Sequence, residues 1–246
     1  EAGVPQAVFP EGGLTRDGRM REPKLGAIDY MMRGFRPDGE RDLVFVPLGI
    51  NYDRVLEDRT LLRALDPEAT PRGKLRALGT TLSFLVHNLG LALRSEWHRF
   101  GYACVNFGAP VSMREYCAER NLDFHKLSGE ERRRAMAELG RHLMDAVGRI
   151  VPVLPVPLIA TVFVRHGEKT ISEMELKGEV GRLVEQLQAR GAHVYVPRKD
   201  FDYAVNVGLR MLTLRRLVGE REGLYFAQAE ELPLLRYYAN SIAHLL

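Results

Sequence analysis

Length, composition and charge indicate a folded globular protein. The chain has 246 residues, 46% hydrophobic and 27% charged, so it can bury a substantial core and disorder is not expected. Its net charge of +3 comes with scattered basic residues, which do not indicate a nucleic-acid partner but suit anionic lipid or phosphate. Two cysteines, Cys104 and Cys117, are too few for a disulfide framework or a zinc site, which favours a reducing compartment.

The first part of the chain is predicted to be α/β. Compact runs of β-favouring residues alternate there with a polar, glycine-rich loop and with segments of helical character. In chain order the predicted elements are the end of a strand at Ala7–Phe9, the loop at Pro10–Gly26, a short helix at Ala27–Phe35, a buried strand at Leu43–Val46, a largely apolar helix at Arg72–Arg94 and a strand at Tyr102–Phe107.

The second part is predicted to be mostly helical. Two capping-box patterns, Ser128 with Glu131 and Ser172 with Glu175, each precede apolar residues at helical spacing, and Gly191 suits the end of the second helix. The change of pattern near residue 120 predicts two regions, 1–120 and 121–246. The two apolar stripes are interpreted as core: Met136, Leu139, Leu143 and Val147, then Leu176, Val180, Leu183, Val184 and Leu187. A short strand at His193–Val196 and helices at Tyr203–Val218 and Glu230–His244 follow.

One apolar stretch, Ile150–Val164, is uncharged but contains Pro152, Pro155 and Pro157. These prolines argue against a regular membrane-spanning helix, and no stretch of the sequence reaches the roughly 18 apolar residues that a span needs. A buried segment is the favoured interpretation. A segment on a membrane surface remains the alternative.

The most informative segment is the loop between Phe9 and Gly26, whose composition suits a small phosphorylated ligand. The paired glycines Gly12 and Gly13 allow a tight turn that exposes backbone N–H groups to an anion. Glu11 could orient an arginine or accept a hydrogen bond from a ligand hydroxyl, and Thr15 could donate one to phosphate. A solvated glycine–arginine turn explains these residues equally well. Charge-assisted hydrogen bonds to phosphate could come from Arg16, Arg19, Arg21 and Lys24.

Several of these segments resemble the glycerolipid acyltransferases. Phe9-Pro10-Glu11-Gly12-Gly13 with Arg16 resembles the third sequence block of that family, and Val46–Tyr52 resembles the fourth, a strand with Pro47 beside the acyl site. Two further segments resemble the family, Val105–Pro110, a strand and turn, and Leu234–Ser241, a C-terminal helix. The extension of the third block through Gly18-Arg19 and Pro23-Lys24-Leu25-Gly26 is similar to the bacterial glycerol-3-phosphate acyltransferase version.

The resemblance implies a fold and an activity. The fold is α/β, a mixed sheet with flanking helices followed by a mostly helical C-terminal region. The activity is transfer of a fatty acyl group from acyl-CoA or acyl carrier protein to the sn-1 hydroxyl of glycerol 3-phosphate, the first step of phospholipid biosynthesis. It implies no metal and no cofactor, since the acyl thioester is a co-substrate. Lysophosphatidate or dihydroxyacetone phosphate is the alternative acceptor.

The resemblance also implies a site. It places glycerol 3-phosphate against Glu11, Gly12, Gly13, Thr15 and Arg16, with Pro47 at the acyl group. One position departs from the family, because Leu14 stands where close relatives usually carry arginine. Arg19 or Lys24 would then supply the missing phosphate contact.

The catalytic block of that family is absent from this sequence. The family's base is a histidine held by an aspartate five positions later, and none of the seven histidines has that partner. His125, with Glu130 five positions on, comes nearest but follows the fourth block, so we interpret it as a surface or capping residue. We expect an incomplete sequence of an active enzyme, inactive by itself. A noncatalytic lipid-binding protein is the alternative.

An enzyme of this kind makes a product that stays in the bilayer. The resemblance therefore implies peripheral attachment to the cytoplasmic face of the inner membrane. Two apolar stretches, Leu75–Leu93 and Ile150–Val164, could contribute an interfacial surface beside the scattered arginines.

Overall fold

A computed structural model describes residues 5–65 and 101–246 and confirms the α/β prediction. Within these ranges there are eight α-helices and seven short strands, and the ladders between the strands are antiparallel. One isolated parallel bridge joins Val153 to Val194. The predicted helix at Arg72–Arg94 lies outside the described residues.

The first half forms a two-stranded ribbon flanked by helices. Strand β1 pairs with β4 and β2 pairs with β3, and the Gly108 amide bridges the two ladders by donating to the Pro47 carbonyl at 2.9 Å. The elements are α1 (Gly26–Gly34), β1 (Val44–Phe45), β2 (Leu48–Tyr52), α2 (Asp58–Arg63), β3 (Ala103–Phe107), β4 (Val111–Ser112) and α3 (Met113–Arg120). The predicted helix at Ala27–Phe35 and strand at Tyr102–Phe107 are confirmed.

Two strand predictions in this half are wrong. Ala7–Phe9 forms no strand, because no ladder among the described residues pairs with it. Leu43–Val46 yields only the two residues of β1, because Pro47 follows and cannot donate to a ladder. Val44 and Val46 are exposed, so this strand is not buried either.

The second half contains the remaining helices, α4 (Gly129–Gly148), α5 (Pro155–His166), α6 (Glu173–Ala189), α7 (Phe201–Leu214) and α8 (Leu232–Asn240), with strands β5 (Ile171–Ser172), β6 (Val218–Arg221) and β7 (Leu224–Ala227). Both predicted capping boxes are present, at Ser128 and Ser172. The predicted stripes are buried except for Val147, which is partly exposed.

Two details of this half were mispredicted. The strand at His193–Val196 is reduced to the single bridge at Val194. Helix α7 ends at Leu214 instead of Val218, because Val218 begins a hairpin. The hairpin turns at Glu222 and Gly223, both with positive φ (54° and 77°), as a two-residue turn of this hand requires. No dipeptide of the usual hairpin type marks that turn in the sequence.

The proline-rich apolar stretch is buried. Pro155 and Pro157 lie in the first turn of α5, where backbone N–H groups have no partner within the helix, so the prolines cost no helical hydrogen bond. Residues 151–163 are all buried, and α5 packs against α6, α7 and α8. The membrane-surface alternative for Ile150–Val164 is therefore wrong. None of the described helices is long and apolar enough to cross a membrane.

The described residues form two hydrophobic core clusters. The larger surrounds α5, and the smaller lies between α1, α3 and α4. The smaller cluster includes Met113 and Tyr116 on one side of residue 120 and Met136 and Leu139 on the other. The boundary between 1–120 and 121–246 stays a prediction.

Three buried polar side chains, one on β2, one on α2 and one between these elements, join the two halves. Asn51 donates to the Pro152 carbonyl at 2.9 Å, and Asp53 accepts from the Val156 amide at 2.9 Å. Burial raises the pKa of Asp53 to about 6, although the amides of Val156 and Tyr102 favour its ionised form. The Asp53 carboxyl loses its proton near pH 4 in the unfolded chain but near pH 6 in the folded chain. This group therefore lowers the free energy of unfolding as the pH rises from about 4 to 6.

The third of these side chains, Asp58, is 3% exposed. Its Oδ2 accepts from Arg215 Nη2 at 2.5 Å and from the Tyr238 hydroxyl. Arg215 also donates to the Tyr238 hydroxyl at 2.7 Å, and the Val55 amide donates to the same oxygen at 3.2 Å. Helix α2 is thereby tied to α8.

We expect Asp58→Asn to lower the free energy of unfolding by about 3 kcal/mol, because it leaves the partly buried Arg215 charge without its counterion. Glu130→Gln is the matched control, since its ion pair with Arg133 is exposed and worth at most about 1 kcal/mol. Urea unfolding of the purified chain measures both. Equal losses in the two variants would contradict the assigned role of Asp58.

Candidate functional site

The predicted loop is closed at its base by two backbone hydrogen bonds. The Gly12 amide donates to the Phe9 carbonyl at 2.9 Å, and the Lys24 amide donates to the Pro10 carbonyl at 2.8 Å. Gly12 has a φ of +67°, which favours glycine. A β-carbon at Gly12 would lie 2.5 Å from Lys24 Cδ, so the lysine stem crosses directly over this glycine.

Glu11 lies partly buried beside this closure. Desolvation raises the pKa of its carboxyl, while the backbone N–H and the positive charge of Arg21 act in the opposite direction. A carboxylate held this way by a neighbouring amide is placed to accept a hydrogen bond from a ligand hydroxyl. The structure thus brings Glu11, Gly12 and Lys24 together.

The middle of the loop is organised by Asp17. Its Oδ1 accepts from Thr15 Oγ1 and from the Arg19 amide, both at 3.1 Å. This is the local side-chain to backbone pattern that aspartate commonly makes in turns. Thr15 and Arg19 are therefore brought together, and the Thr15 hydroxyl proton is directed at Asp17.

Helix α8 holds the loop from behind. Asn240 Nδ2 donates to the Asp17 carbonyl at 2.8 Å. Gly18 is buried with a φ of +84°, and a β-carbon there would overlap the carbonyl oxygen of Tyr237. At its other end the loop packs on α4, where a β-carbon at Gly140 would lie 2.6 Å from Leu25 Cδ2.

The cationic side chains of the loop remain exposed. Arg16 Nη1 donates to the Ala64 carbonyl, at the end of α2, over a long distance of 3.4 Å. The side chains of Arg16, Arg19 and Lys24 are accessible to a ligand from solvent, as is the backbone at Gly13. Leu14, at the family's arginine position, is also exposed.

Pro47 lies in the ribbon. It is buried, and its ring approaches Gly108, where a β-carbon would lie 3.2 Å from Pro47 Cβ. The neighbouring Gly49 is pressed against the Ile150 carbonyl, which would lie 2.6 Å from an added β-carbon. These contacts fix Pro47 between the ribbon and the start of the second half. Its position beside an acyl group stays a prediction.

His125 is a surface residue, as predicted. Its amide donates to Asp123 Oδ1 at 3.0 Å, and its ring Nε2 lies 2.8 Å from the Phe35 carbonyl. The ring therefore bridges two parts of the fold, and its position gives no sign of a catalytic role.

Together, these contacts define an α/β protein whose basic, glycine-rich loop is fixed in place by the C-terminal helix. The sequence model of the family described as "Glycerol-3-phosphate acyltransferase C-terminal region" matches residues 89–246. Because this match covers more than half of the chain, the chain belongs to that family.

Curated relatives extend the similarity to the loop. A glycerol-3-phosphate acyltransferase from Pseudomonas savastanoi pv. phaseolicola is 26% identical over 251 residues, covering 99% of this chain and 29% of the relative. One from Pseudomonas fluorescens SBW25 is 26% identical over 255 residues, with the same two shares. One from Pseudomonas paraeruginosa is 31% identical over 178 residues, covering 68% of this chain and 20% of the relative. The chain thus spans under a third of the length of these relatives.

Sequence reasoning missed the residues that position the loop. Asp17 and Gly18 form an Asp-Gly pair, a turn signal that could have been used. Asn240 and Tyr237 carry no such signal, because their role arises from a contact with residues more than 200 positions away.

We expect Gly18→Ala to lower the free energy of unfolding by roughly 2–4 kcal/mol, because the added methyl group meets the Tyr237 backbone at a φ that disfavours alanine. Gly26→Ala is the control, since nothing lies within 4 Å of its added β-carbon, and it should change stability by less than about 1 kcal/mol. Thermal or urea unfolding tests this. A Gly18→Ala protein as stable as the control would disprove the docking of the loop on α8.

Proposed function

We propose that this chain is part of a glycerol-3-phosphate 1-O-acyltransferase, which transfers a fatty acyl group from acyl-CoA or acyl carrier protein to glycerol 3-phosphate. Family membership and the names of the relatives support the reaction class. Within this chain, the proposal assigns the loop of residues 9–26 to the acceptor. The observation that carries the assignment is the exposure of Arg16, Arg19 and Lys24 on a loop whose backbone is otherwise fixed.

The fixed backbone favours recognition of a small phosphate ester. A loop already held in its binding conformation loses little entropy when the ligand arrives, so its charge-assisted hydrogen bonds contribute fully to affinity. Glu11 supplies a carboxylate for the glycerol hydroxyls, and the cations supply donors for the phosphate. Thr15, whose hydroxyl proton is directed at Asp17, would have to turn toward the phosphate in order to donate to it.

We expect the purified chain 1–246 to show no acyl transfer above a trace rate. Positioning groups cannot replace a general base, which typically contributes about 10²–10⁴-fold. A radiolabelled assay with glycerol 3-phosphate, lysophosphatidate and dihydroxyacetone phosphate as acceptors, and with both thioester donors, measures this. The same assay on the full-length protein identifies the acceptor. Turnover by 1–246 at an ordinary enzyme rate would mean that the chemistry lies within this chain.

We expect Arg16→Ala in the full-length enzyme to raise the KM for glycerol 3-phosphate far more than the KM for the acyl donor. Loss of a charged hydrogen bond costs roughly 1.5–3 kcal/mol, which is about tenfold or more in KM. The substitution should leave the fold intact, because within residues 5–65 and 101–246 the Arg16 side chain makes only the long, exposed hydrogen bond to the Ala64 carbonyl. Arg16→Lys should restore the KM only in part, since an ammonium lacks the planar fork of donors.

Arg19→Ala is the comparison for Arg16→Ala. The backbone amide of Arg19, which binds Asp17, is retained in that variant, so only the exposed guanidinium is lost. Unchanged kinetics in Arg16→Ala together with a severe defect in Arg19→Ala would contradict the proposal that Arg16 binds the phosphate.

We further propose that the enzyme attaches peripherally to the cytoplasmic face of the inner membrane. Burial of α5 removes Ile150–Val164 from the candidate membrane surface, and Leu75–Leu93 lies outside the described residues. In the described part of the chain, Phe9 and Leu14 expose apolar side chains beside the cations of the loop, a combination suited to an anionic interface.

The full-length protein should sediment with anionic liposomes at low salt and be released by high salt, because screening weakens its attraction to the lipid head groups. Liposomes of neutral lipid are the control and should bind less. If the protein stays in the supernatant with anionic liposomes at low salt, attachment through lipid is wrong.

A further inference from the structure

The outer face of the β2–β3 ribbon exposes a continuous apolar surface. Leu48 and Ile50 of β2 lie opposite Phe107 and Val105 of β3, and all four point away from the protein together with Tyr52. Phe107 is 72% exposed, Val105 48% and Ile50 40%. We call these five residues the ribbon face. Val44 and Val46 continue the exposed row toward β1.

The ribbon face reverses the usual pattern of a solvent-facing sheet. In an antiparallel ribbon with one side in water, polar side chains point outward and apolar ones inward. Here the polar side chains of Asn51 and Asn106 point inward, where they donate at 2.9 Å to the carbonyls of Pro152 and Ile150. The inward side of the ribbon thus already packs on the second half of the chain. Because the inner side is already covered, an apolar outer side is typical of a strand pair that is buried on both faces.

The ribbon is also too small to be a complete sheet. Among the described residues, β2 and β3 pair only with each other. A two-stranded ribbon is marginal in water and gains stability from further strands or from a layer packed on its apolar face. A covering layer would satisfy this requirement and remove the five apolar side chains from water.

We propose that the ribbon face is the docking surface for a further part of the same polypeptide, which lies outside this chain and packs apolar side chains on it. The curated relatives supply the length for such a part, because this chain accounts for only 29% of the first of them. The inference rests on the proposed function only in taking the enzyme to be longer than 246 residues.

Charge favours a protein occupant over a lipid surface. None of the five residues of the ribbon face is basic, and the alternating positions of β2 and β3 between them are Gly49, Asn51, Cys104 and Asn106. Surfaces that bind anionic membranes place lysine and arginine around their apolar residues, which the ribbon lacks. An uncharged apolar sheet face is the surface that packed protein layers share.

The docked part would be held in a defined position relative to the loop. Asn51, on the inner side of β2, also lies 3.3 Å from Ser241 Oγ, one residue beyond the Asn240 that holds Asp17. A segment resting on the ribbon face is therefore linked to the proposed acceptor loop through two side chains at the end of α8. Such a segment is in a position to bring groups that this chain lacks to the acceptor.

Cysteine labelling of the full-length protein tests the proposal. Phe107→Cys and, as a control, Met174→Cys are each treated with a maleimide in native and denaturing buffer, and labelling at each site is quantified by peptide mass spectrometry. Met174 is 84% exposed on α6 and should label equally fast in both buffers. We expect native labelling of Phe107→Cys to be slower by at least about tenfold, because a covered site reacts only after local opening.

Four outcomes would overturn the proposal. Equal protection of Phe107→Cys in the purified chain 1–246 would assign the cover to a segment of this chain itself. Equal native labelling of the two cysteines would show that the ribbon face is open in the full-length protein. Protection that requires added anionic vesicles would assign the face to the membrane. Protection that disappears on dilution would assign it to a second copy of the protein.

A stability measurement provides an independent check. Ile50→Glu in the full-length protein should lower the Tm by about 5 °C or more, because the charge would be buried under the docked segment, whereas Met174→Glu should leave the Tm unchanged. An unchanged Tm for Ile50→Glu would also overturn the proposal. Neither readout depends on catalysis, so an error in the proposed function would leave both results as expected.

Discussion

The C-terminal turn of α8 is the constraint on which the rest of the described structure depends. Within five residues it supports the loop backbone through Tyr237 and Asn240, binds Asp58 through the Tyr238 hydroxyl, and contacts Asn51 of β2 through Ser241. Helix α8 also packs along α5, the centre of the larger core cluster. The C-terminal helix, which packs in the apolar core, therefore holds the backbone of the loop in place, although the loop has few core residues of its own. The accessible cations on that loop gain a fixed geometry without being buried.

The polar contacts between the halves carry a cost that the apolar core must offset. Asn51, Asp53 and Asp58 are buried, and each is retained through a hydrogen bond to the second half of the chain. Buried polar groups of this kind stabilise little by themselves, but losing one partner is expensive, so they favour a single arrangement of the two halves. Such specificity matters because these contacts fix the position of the ribbon and of α2 on the second half of the chain.

The helices of the second half were predictable because their signals are local. Ser128 and Ser172 cap helices through residues three positions away, and the apolar stripes that follow face the core. The β6–β7 hairpin was missed because Glu222 adopts a positive φ without a glycine or asparagine at that position. The loop was recognised through its glycines and its family resemblance. Its anchoring by Asn240 was not, because contacts across the whole chain leave no periodic or compositional trace. The burial of β1 was mispredicted because an apolar sequence favours a strand but does not show whether other elements of the fold cover it.

The central claim is that α8 fixes the loop of residues 9–26 as the acceptor site. Calorimetric titration of glycerol 3-phosphate into the full-length protein and its Asn240→Ala variant tests it most directly, with Asn206→Ala, an exposed position on α7, as the control. Removing the partly buried hydrogen bond from Asn240 to the Asp17 carbonyl should weaken the binding of glycerol 3-phosphate about fivefold, since such a bond contributes on the order of 1 kcal/mol. Binding of the acyl donor should not change. Equal affinity for glycerol 3-phosphate in Asn240→Ala and the unaltered protein would contradict the account.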